Sequence, residues 1–543
     1  MAEGGRARNG AGRWTVAWLL LLSAFAAQYA LVRPTNFGGF DEWLFLWLSE
    51  RGILGSPYSN RPLNFLWTVP GALVRESFLG FHVLHGAYLA LGGLLAGLIA
   101  RRVLPAASAA ALLAGLVTAC WAPWDRARLS SVQMTVNSGS ACSALLAALL
   151  LVLAWERGSR RWALAAAALA FATARGYEGV LGVLALGPLL LACIGPWDGR
   201  LARLSLPWAA AVLAALGLAL APLATGAAAA TYQIQVLGLD LEPAAVAGRV
   251  LRRFAEHLGP LVTTRPSAGD GWLPWLSAAL ALAGALVAPG ARRSGAVSTP
   301  ATPGARRELA GAALGAAYAA AGYAPFVLSP SLDAPHRAQL HGAFGIGLLL
   351  ASLASLAARG LAPVMRATLL ALACAFVAWA GAARSAALQR DWDLERTGPL
   401  QISSLRSLVG LAPRLAPHTL VVALDDSGAW RSSFGFHYAL LHVYGGDAAG
   451  AVPGRSDLLQ RTLATPSGLS SEPLEAVRGA WRIAPDSHAY SETLVVRIGR
   501  EGDASLVAAW PRELSPFDPG GTYAPLQRLR PGPPARGAAI LEP

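Results

Sequence analysis

The sequence predicts an α-helical polytopic membrane protein, with about eleven transmembrane helices followed by an extracytoplasmic soluble α/β domain. Three observations predict it. Hydrophobic residues make up 55% of the 543 and charged residues only 14%, against about 25% in a typical soluble domain. The apolar residues fall in long Ala/Leu/Val runs separated by short arginine clusters, where membrane topology places basic residues. Beyond residue 384 the runs stop, and strand-like stretches bounded by turn residues begin.

The first run, 14–32, is long enough to span. Ala24-Phe25-Ala26 would serve as a signal-peptide cleavage site, but the length of the run and the many spans after it favour an uncleaved helix. Further spans are expected at 78–100, 104–122, 139–155, 162–174, 176–195, 205–225, 272–289, 309–328, 338–357 and 362–383. With Arg6, Arg8 and Arg13 in the cytoplasm, this order places five later basic clusters on the same side. They are Arg101 and Arg102; Arg157, Arg160 and Arg161; Arg200 and Arg203; Arg292, Arg293, Arg306 and Arg307; and Arg359 and Arg366. The stretch 162–195 reads as two short crossings around Arg175 and Glu178, a hairpin packed inside the bundle. The outer face then receives the segments 33–77, 122–138, 226–270 and 329–337. The region 384–543 reads as a separate soluble domain, with strands from Thr419 to Leu424 and Thr493 to Ile498. Asp425 and Asp426 follow the first strand in a turn, and the Pro/Gly/Arg-rich end reads as loosely ordered.

The formal charge of +13 does not point to nucleic acid, because the arginines sit between apolar runs. The chain has no lysine, which removes P-loop and lysine Schiff-base chemistry. Cys120, Cys142, Cys193 and Cys374 are scattered along apolar runs without metal-ligand spacing and read as small apolar filler.

The first outer segment carries the most chemistry. Asp41 and Glu42 follow Gly38 and Gly39 at the expected start of a helix whose aromatic residues, Phe40, Trp43 and Trp47, suit a membrane interface. A carboxylate there can serve as a general base toward a hydroxyl, or simply favour the helix N-terminus. Arg61 can hold a phosphate by bidentate hydrogen bonds or snorkel at the interface. Asp125 and Arg126 add charge in the second outer segment. Arg175 and Glu178 lie near bilayer depth, where ionisable groups are costly; they form either a functional site or an ion pair with each other. His336 and Arg337, after Asp333, either meet a phosphate or anchor a helix. In the third outer segment Val246, Val250, Phe254 and Leu258 share a helical face, with Arg249, Arg252 and Arg253 beside it. That pattern predicts an amphipathic helix on the membrane surface, drawn to anionic headgroups or to a lipid-linked phosphate.

Together these residues resemble the GT-C class of membrane glycosyltransferases, the kind that includes protein mannosyltransferases and bacterial lipid A sugar transferases. Asp41 and Glu42 match the acidic pair of that class's first outer loop. Ser59 to Leu63 looks like the Arg-Pro-Leu stretch of some bacterial members. Arg175 to Glu178 looks like a basic-then-acidic motif, although a lysine is common where this chain has Arg175. The stretch from Ser331 to Leu340, with His336 and Arg337, resembles the late loop that contacts the lipid phosphate. The resemblance covers the membrane part, mainly by pattern.

It implies a polyprenyl-phosphate-linked sugar as donor and a lipid, glycan or protein hydroxyl as acceptor, in a bacterial inner membrane. The reaction would be one inverting displacement, with Asp41 as base and Glu42 second. Arg61, Arg175, His336 and Arg337 would bind the donor phosphate. A divalent cation of the Mg²⁺ or Mn²⁺ type assists some members, and Asp41 with Asp125 or Glu178 would supply its oxygens. Two other readings remain: a transporter or flippase for a lipid-linked sugar, which lacks the expected paired halves, and a non-catalytic membrane assembly protein.

Overall fold

The structure is a computed structural model that describes residues 2–38, 41–55, 61–73, 78–105, 108–196, 198–224, 240–288, 304–328, 334–455, 460–473, 486–514, 517 and 519–541. Its helices are α1 (Ala2–Tyr29), α2 (Glu42–Glu50), α3 (Leu79–Val103), α4 (Ser108–Cys120), α5 (Ser131–Arg157), α6 (Arg160–Gly176), α7 (Leu181–Ala185) and α8 (Gly187–Ile194). They continue with α9 (Gly199–Ala224), α10 (Pro243–Thr263), α11 (Leu273–Val287), α12 (Gly304–Val327), α13 (Pro335–Ala357), α14 (Pro363–Glu395), α15 (Thr397–Leu411) and α16 (Ser433–Val443).

Among the described residues, six helical segments are long and apolar enough to cross a bilayer: α3, α5, α9, α12, α13 and the stretch that begins with α14. The chain is therefore a helical membrane protein, but the expected eleven spans are not eleven full-length apolar helices. Three apolar stretches, Ala109–Cys120, Glu178–Ile194 and Leu273–Val287, are shorter. The 13 residues of α4 reach only roughly 20 Å, against a hydrocarbon core of about 30 Å.

The arginine-bearing helix ends gather at one end of the bundle. Arg13 Nε–H donates to the Val287 carbonyl at 3.0 Å, and Arg101 lies over the Trp14 ring at 4.5 Å. Arg102 pairs with Glu156 at 2.9 Å, and Arg200 donates to the Trp155 carbonyl. Glycine lets the helices approach closely. A Cβ at Gly345 would stand 2.1 Å from the Ala319 nitrogen, and one at Gly381 would stand 1.7 Å from the Cys120 carbonyl oxygen. Small residues at crossings are how helices pack where no hydrophobic force separates protein from lipid.

Three boundaries differ from the sequence reading. Helix α5 begins at Ser131, so the second outer segment is shorter than 122–138. Helix α14 runs on to Glu395 instead of ending near 383. Its extension grips the first outer segment: Gln389 Nε2–H donates to Asn36 Oδ1 at 3.0 Å, and Asn36 Nδ2–H returns a bond to Gln389 Oε1 at 2.7 Å. Such an amide pair satisfies buried polar groups that lipid could not. The third difference is the chain end, which is packed. Leu529–Arg530 pairs antiparallel with Arg414–Leu415, and Ile540 and Leu541 are buried in the core. Its proline and glycine content suggested looseness, but apolar side chains at the very end find a core to enter.

The C-terminal region has strands β1 (Arg414–Leu415), β2 (Thr419–Asp425), β3 (Ala448–Ala451), β4 (Gln460–Thr465), β5 (Gly468–Pro473), β6 (Asp486–Ala489), β7 (Thr493–Ile498), β8 (Ala504–Leu506) and β9 (Leu529–Arg530). One sheet has the order β3-β2-β7-β8, with β2 parallel to both neighbours and β8 antiparallel to β7. A second, antiparallel sheet has the order β4-β5-β6. This region does not stand apart from the first outer segment. Phe37, Trp43, Leu46 and Phe65 share a core with Leu405, Trp430, Phe436 and Leu494. Trp43 Nε1–H donates to Gln401 Oε1 at 2.9 Å, and His442 Nδ1 meets Glu50 Oε2 at 2.9 Å. Asp425 is structural: the Ser427 and Trp430 N–H groups donate to it at 3.1 and 3.0 Å.

Candidate functional site

Four segments distant in sequence converge at one site. The first is the start of α2, the second the chain at Arg61, the third the break after α6, and the fourth the first turn of α13. The break falls at a close approach to Trp67. At Gly176 a Cβ would stand 2.2 Å from the Trp67 ring, so the last position of α6 admits only glycine. Tyr177 is extended, and a short 3₁₀ turn, Glu178–Val180, follows.

Arg61 forms a fork with Glu178, Nε and Nη2 donating to the two carboxylate oxygens at 2.6 and 2.5 Å. Bidentate geometry makes this one of the stronger ion pairs a protein offers. The Arg61 guanidinium also lies over the Tyr177 ring at 4.8 Å. Tyr177 stacks on His341 at 5.3 Å, and His341 stacks on Phe326 at 5.8 Å. Arg337 hydrogen-bonds Tyr177 and acts electrostatically on Asp41. Glu178 therefore takes Arg61 as its partner, while Arg175, buried at the end of α6, stays within electrostatic reach of Glu178.

The acidic pair of the first outer segment divides. Asp41 lies within electrostatic reach of Arg337 and Arg61. Burial pushes its carboxyl above the usual aspartate range, and Arg337 and then Arg61 pull it back without cancelling the rise. Glu42 turns inward, is 2% exposed, and accepts from Ser130 Oγ at 3.3 Å.

Asp125 accepts from the Ala127 N–H at 2.9 Å, capping the turn that precedes α5, and meets His336 Nδ1 at 3.3 Å. Burial raises its carboxyl, but the His336 and Ala127 hydrogen bonds outweigh that and hold it below the ordinary range. Several polar atoms here have no hydrogen-bond partner among the described residues: Arg337 Nε, His336 Nε2 and both nitrogens of His341. Buried polar groups are nearly always paired, so an unfilled arginine donor such as Arg337 Nε is what an anion site offers.

Other expected residues are used differently. Helix α10 forms as the pattern predicted, and Val246, Val250, Phe254 and Leu258 pack, partly buried, against the bundle core. Arg249 is held by Asp240 at 2.8 Å and Arg253 by Glu256 at 2.5 Å. Arg252 is the outward one, 3.9 Å from Glu256. The amphipathic stripe was legible; its packing against the bundle core was not, because a stripe does not reveal what it packs against. Ser59, Asn60, Gly39, Phe40 and Asp333 lie outside the described residues.

Tyr177 and His341 were missed by the sequence reading. His341 stands four residues after Arg337 on one helix face, and a histidine within a span is itself a signal. Arg128, 4% exposed with Nη1 unpaired among the described residues, was also missed. The expected Mg²⁺ or Mn²⁺ donors do not fit such an ion. Glu178 is engaged by Arg61, Asp125 by His336, and Asp41 lies within electrostatic reach of two arginines, whereas an oxygen-ligand cation needs carboxylates free of competing positive charge. No protein-family model matches the chain, and no curated protein matches it significantly.

Proposed function

We propose that the chain is a membrane glycosyltransferase that moves a sugar from a polyprenyl-phosphate donor to an acceptor hydroxyl on the outer face of the membrane. The acceptor is a lipid, glycan or protein. One observation carries the reading: Asp41, a carboxylate raised in pKa by burial, lies in the field of Arg337, whose buried Nε has no partner among the described residues. A base needs a pKa near its working pH, and a departing phosphate needs fixed positive charge.

In this mechanism the Asp41 carboxylate takes the acceptor hydroxyl proton. The oxygen forms a bond to the anomeric carbon as the bond from that carbon to the donor phosphate oxygen breaks. The phosphate leaves with the electron pair, inverting the anomeric centre. Arg337 and Arg61 carry the developing charge, with Tyr177 bridging them and Arg175 and His336 at the margin. Glu42, turned toward Ser130, positions α2 and does not handle protons.

The same reading takes α1, α4, α6, the α7–α8 stretch and α11 as completing about eleven crossings. It puts the N-terminus in the cytoplasm and the C-terminal region outside a bacterial inner membrane.

Purified wild type and Asp41→Asn, both monodisperse, would be incubated with a panel of polyprenyl-phosphate sugars while polyprenyl phosphate is measured. Release by wild type that falls about 10²- to 10⁴-fold in the variant supports the reading. Donor binding without release in wild type would replace it with transport, and neither binding nor release would replace it with assembly.

A further inference from the structure

Away from that site, the C-terminal region brings together two histidines and two carboxylates that the transfer does not use. Asp486 and His488 lie two apart on β6, so the pleat points both to one face. Pairing with β5 fixes the register, with Leu469 opposite His488. His418 comes from the turn just before β2. Its φ of 61° is a backbone state that non-glycine residues rarely adopt, and it carries the ring to 4.4 Å from that of His488.

Both imidazoles are oriented through Nδ1. His488 Nδ1–H donates to the His418 carbonyl at 3.2 Å, and His418 Nδ1 faces Glu492 Oε1 at 3.4 Å. A proton held on Nδ1 leaves the lone pair on Nε2. The two Nε2 atoms then stand 3.3 Å from Asp486 Oδ1 and 3.1 Å from Asp486 Oδ2. His418 Nε2 is within hydrogen-bond distance of Asp486 Oδ1, whereas the buried Nε2 of His488 stays unpartnered among the described residues although Asp486 Oδ2 is 3.1 Å away.

Nearby His437 offers no alternative ligand, because its Nδ1 accepts from the Gly450 N–H at 3.3 Å and its proton sits on Nε2. A cation between the three side chains would give the unpartnered His488 Nε2 a partner. One ligand atom from each of His418, Asp486 and His488 lies within 4.8 Å of the others. Tetrahedral zinc with bonds of about 2.0–2.1 Å needs donors roughly 3.3 Å apart. Two imidazoles and a carboxylate suit zinc better than magnesium or manganese. A carbonyl and a carboxylate behind the rings are the usual outer partners of zinc-bound histidine.

We propose that His418 Nε2, Asp486 and His488 Nε2 form a zinc site, with Glu492 orienting His418 and a fourth position open to solvent. The His418 and Asp486 side chains are 51% and 49% exposed, which leaves room for a water ligand. The ion would staple the turn before β2 to the β4-β5-β6 sheet, two pieces that no strand pairing joins among the described residues.

The test uses the full chain, purified in detergent, stripped with chelator and titrated with Zn²⁺ alone against a chromophoric competitor. The expected result is one saturable site, with binding weakened more than tenfold in both Asp486→Asn and His488→Gln. Glu492→Gln should weaken it about tenfold, and His437→Gln should leave it unchanged. Asp486 is half exposed, so its variant should elute as the wild type does even if His488→Gln misfolds. Co²⁺ in place of Zn²⁺ should give visible absorption in wild type that Asp486→Asn loses. Absence of saturable binding, or equal affinity in wild type and well-folded Asp486→Asn, would overturn the proposal, whatever the outcome of the sugar-donor assay.

Discussion

Asp41 is the residue on which the chemistry turns, and its surroundings set opposing influences on one carboxyl. Burial raises its pKa, while Arg337 and Arg61 lower it. The base form is thus lost as pH falls through a value above the ordinary aspartate range, so the acid limb of donor cleavage should lie above that range. Replacing Arg337 with glutamine removes the stronger lowering charge, so the limb should move to still higher pH. The same change should slow turnover about 10²- to 10³-fold. A pH–rate profile on purified Arg337→Gln reads both effects; an unmoved limb would remove Asp41 from the role of base. Arg61 is different, because it already holds Glu178 by two bonds. In Arg61→Ala, Glu178 loses its partner, so both thermal stability and donor affinity should fall. A loss of affinity alone would mean the fork does not support the turn after α6.

At the scale of elements, the close crossings decide whether the site assembles. Gly381 lets α14 approach α4 until a Cβ would overlap the Cys120 carbonyl. Gly381→Ala forces backbone apart, and overpacking of this kind costs about 1–3 kcal/mol. A thermal-unfolding comparison in detergent should show a clear drop, larger than that for Gly217→Ala, where a Cβ meets nothing within 4 Å. Gly38 has a related function in the first outer segment. Its φ is +134° and a Cβ there would overlap the Thr397 side chain, so only glycine fits where the chain enters α2. The gain from such exact fits is position: Asp41 reaches the arginines because α2, α14 and α15 are locked together.

For the whole molecule, the shared core is the decisive feature. Trp43 is 2% exposed and packs with Trp430 while bonding Gln401, so the C-terminal region and the first outer segment fold as one unit. Trp43→Ala should cost about 3–5 kcal/mol, lowering the unfolding midpoint of membrane part and C-terminal region together. A chain ending at Glu395 should expose Phe37, Trp43 and Phe65 and elute as aggregate; monodisperse behaviour would show the two parts to be independent.

The sequence by itself determined the membrane class, the basic end of the bundle, and strands β2 and β7. These rest on local periodicity and on arginine placement, which short stretches carry. It also singled out Asp41, Arg61, Glu178 and Arg337, because charges beside apolar runs are conspicuous. Only the tertiary structure decided which of them meet. Glu178 chose Arg61 over Arg175, Asp41 and Glu42 parted, and α10 packed its stripe against the bundle core. His418, Asp486 and His488 gathered across a gap of roughly 70 residues. Pairings across such distances depend on register, crossing geometry and one-residue turns, none of which leaves a periodic trace in the chain.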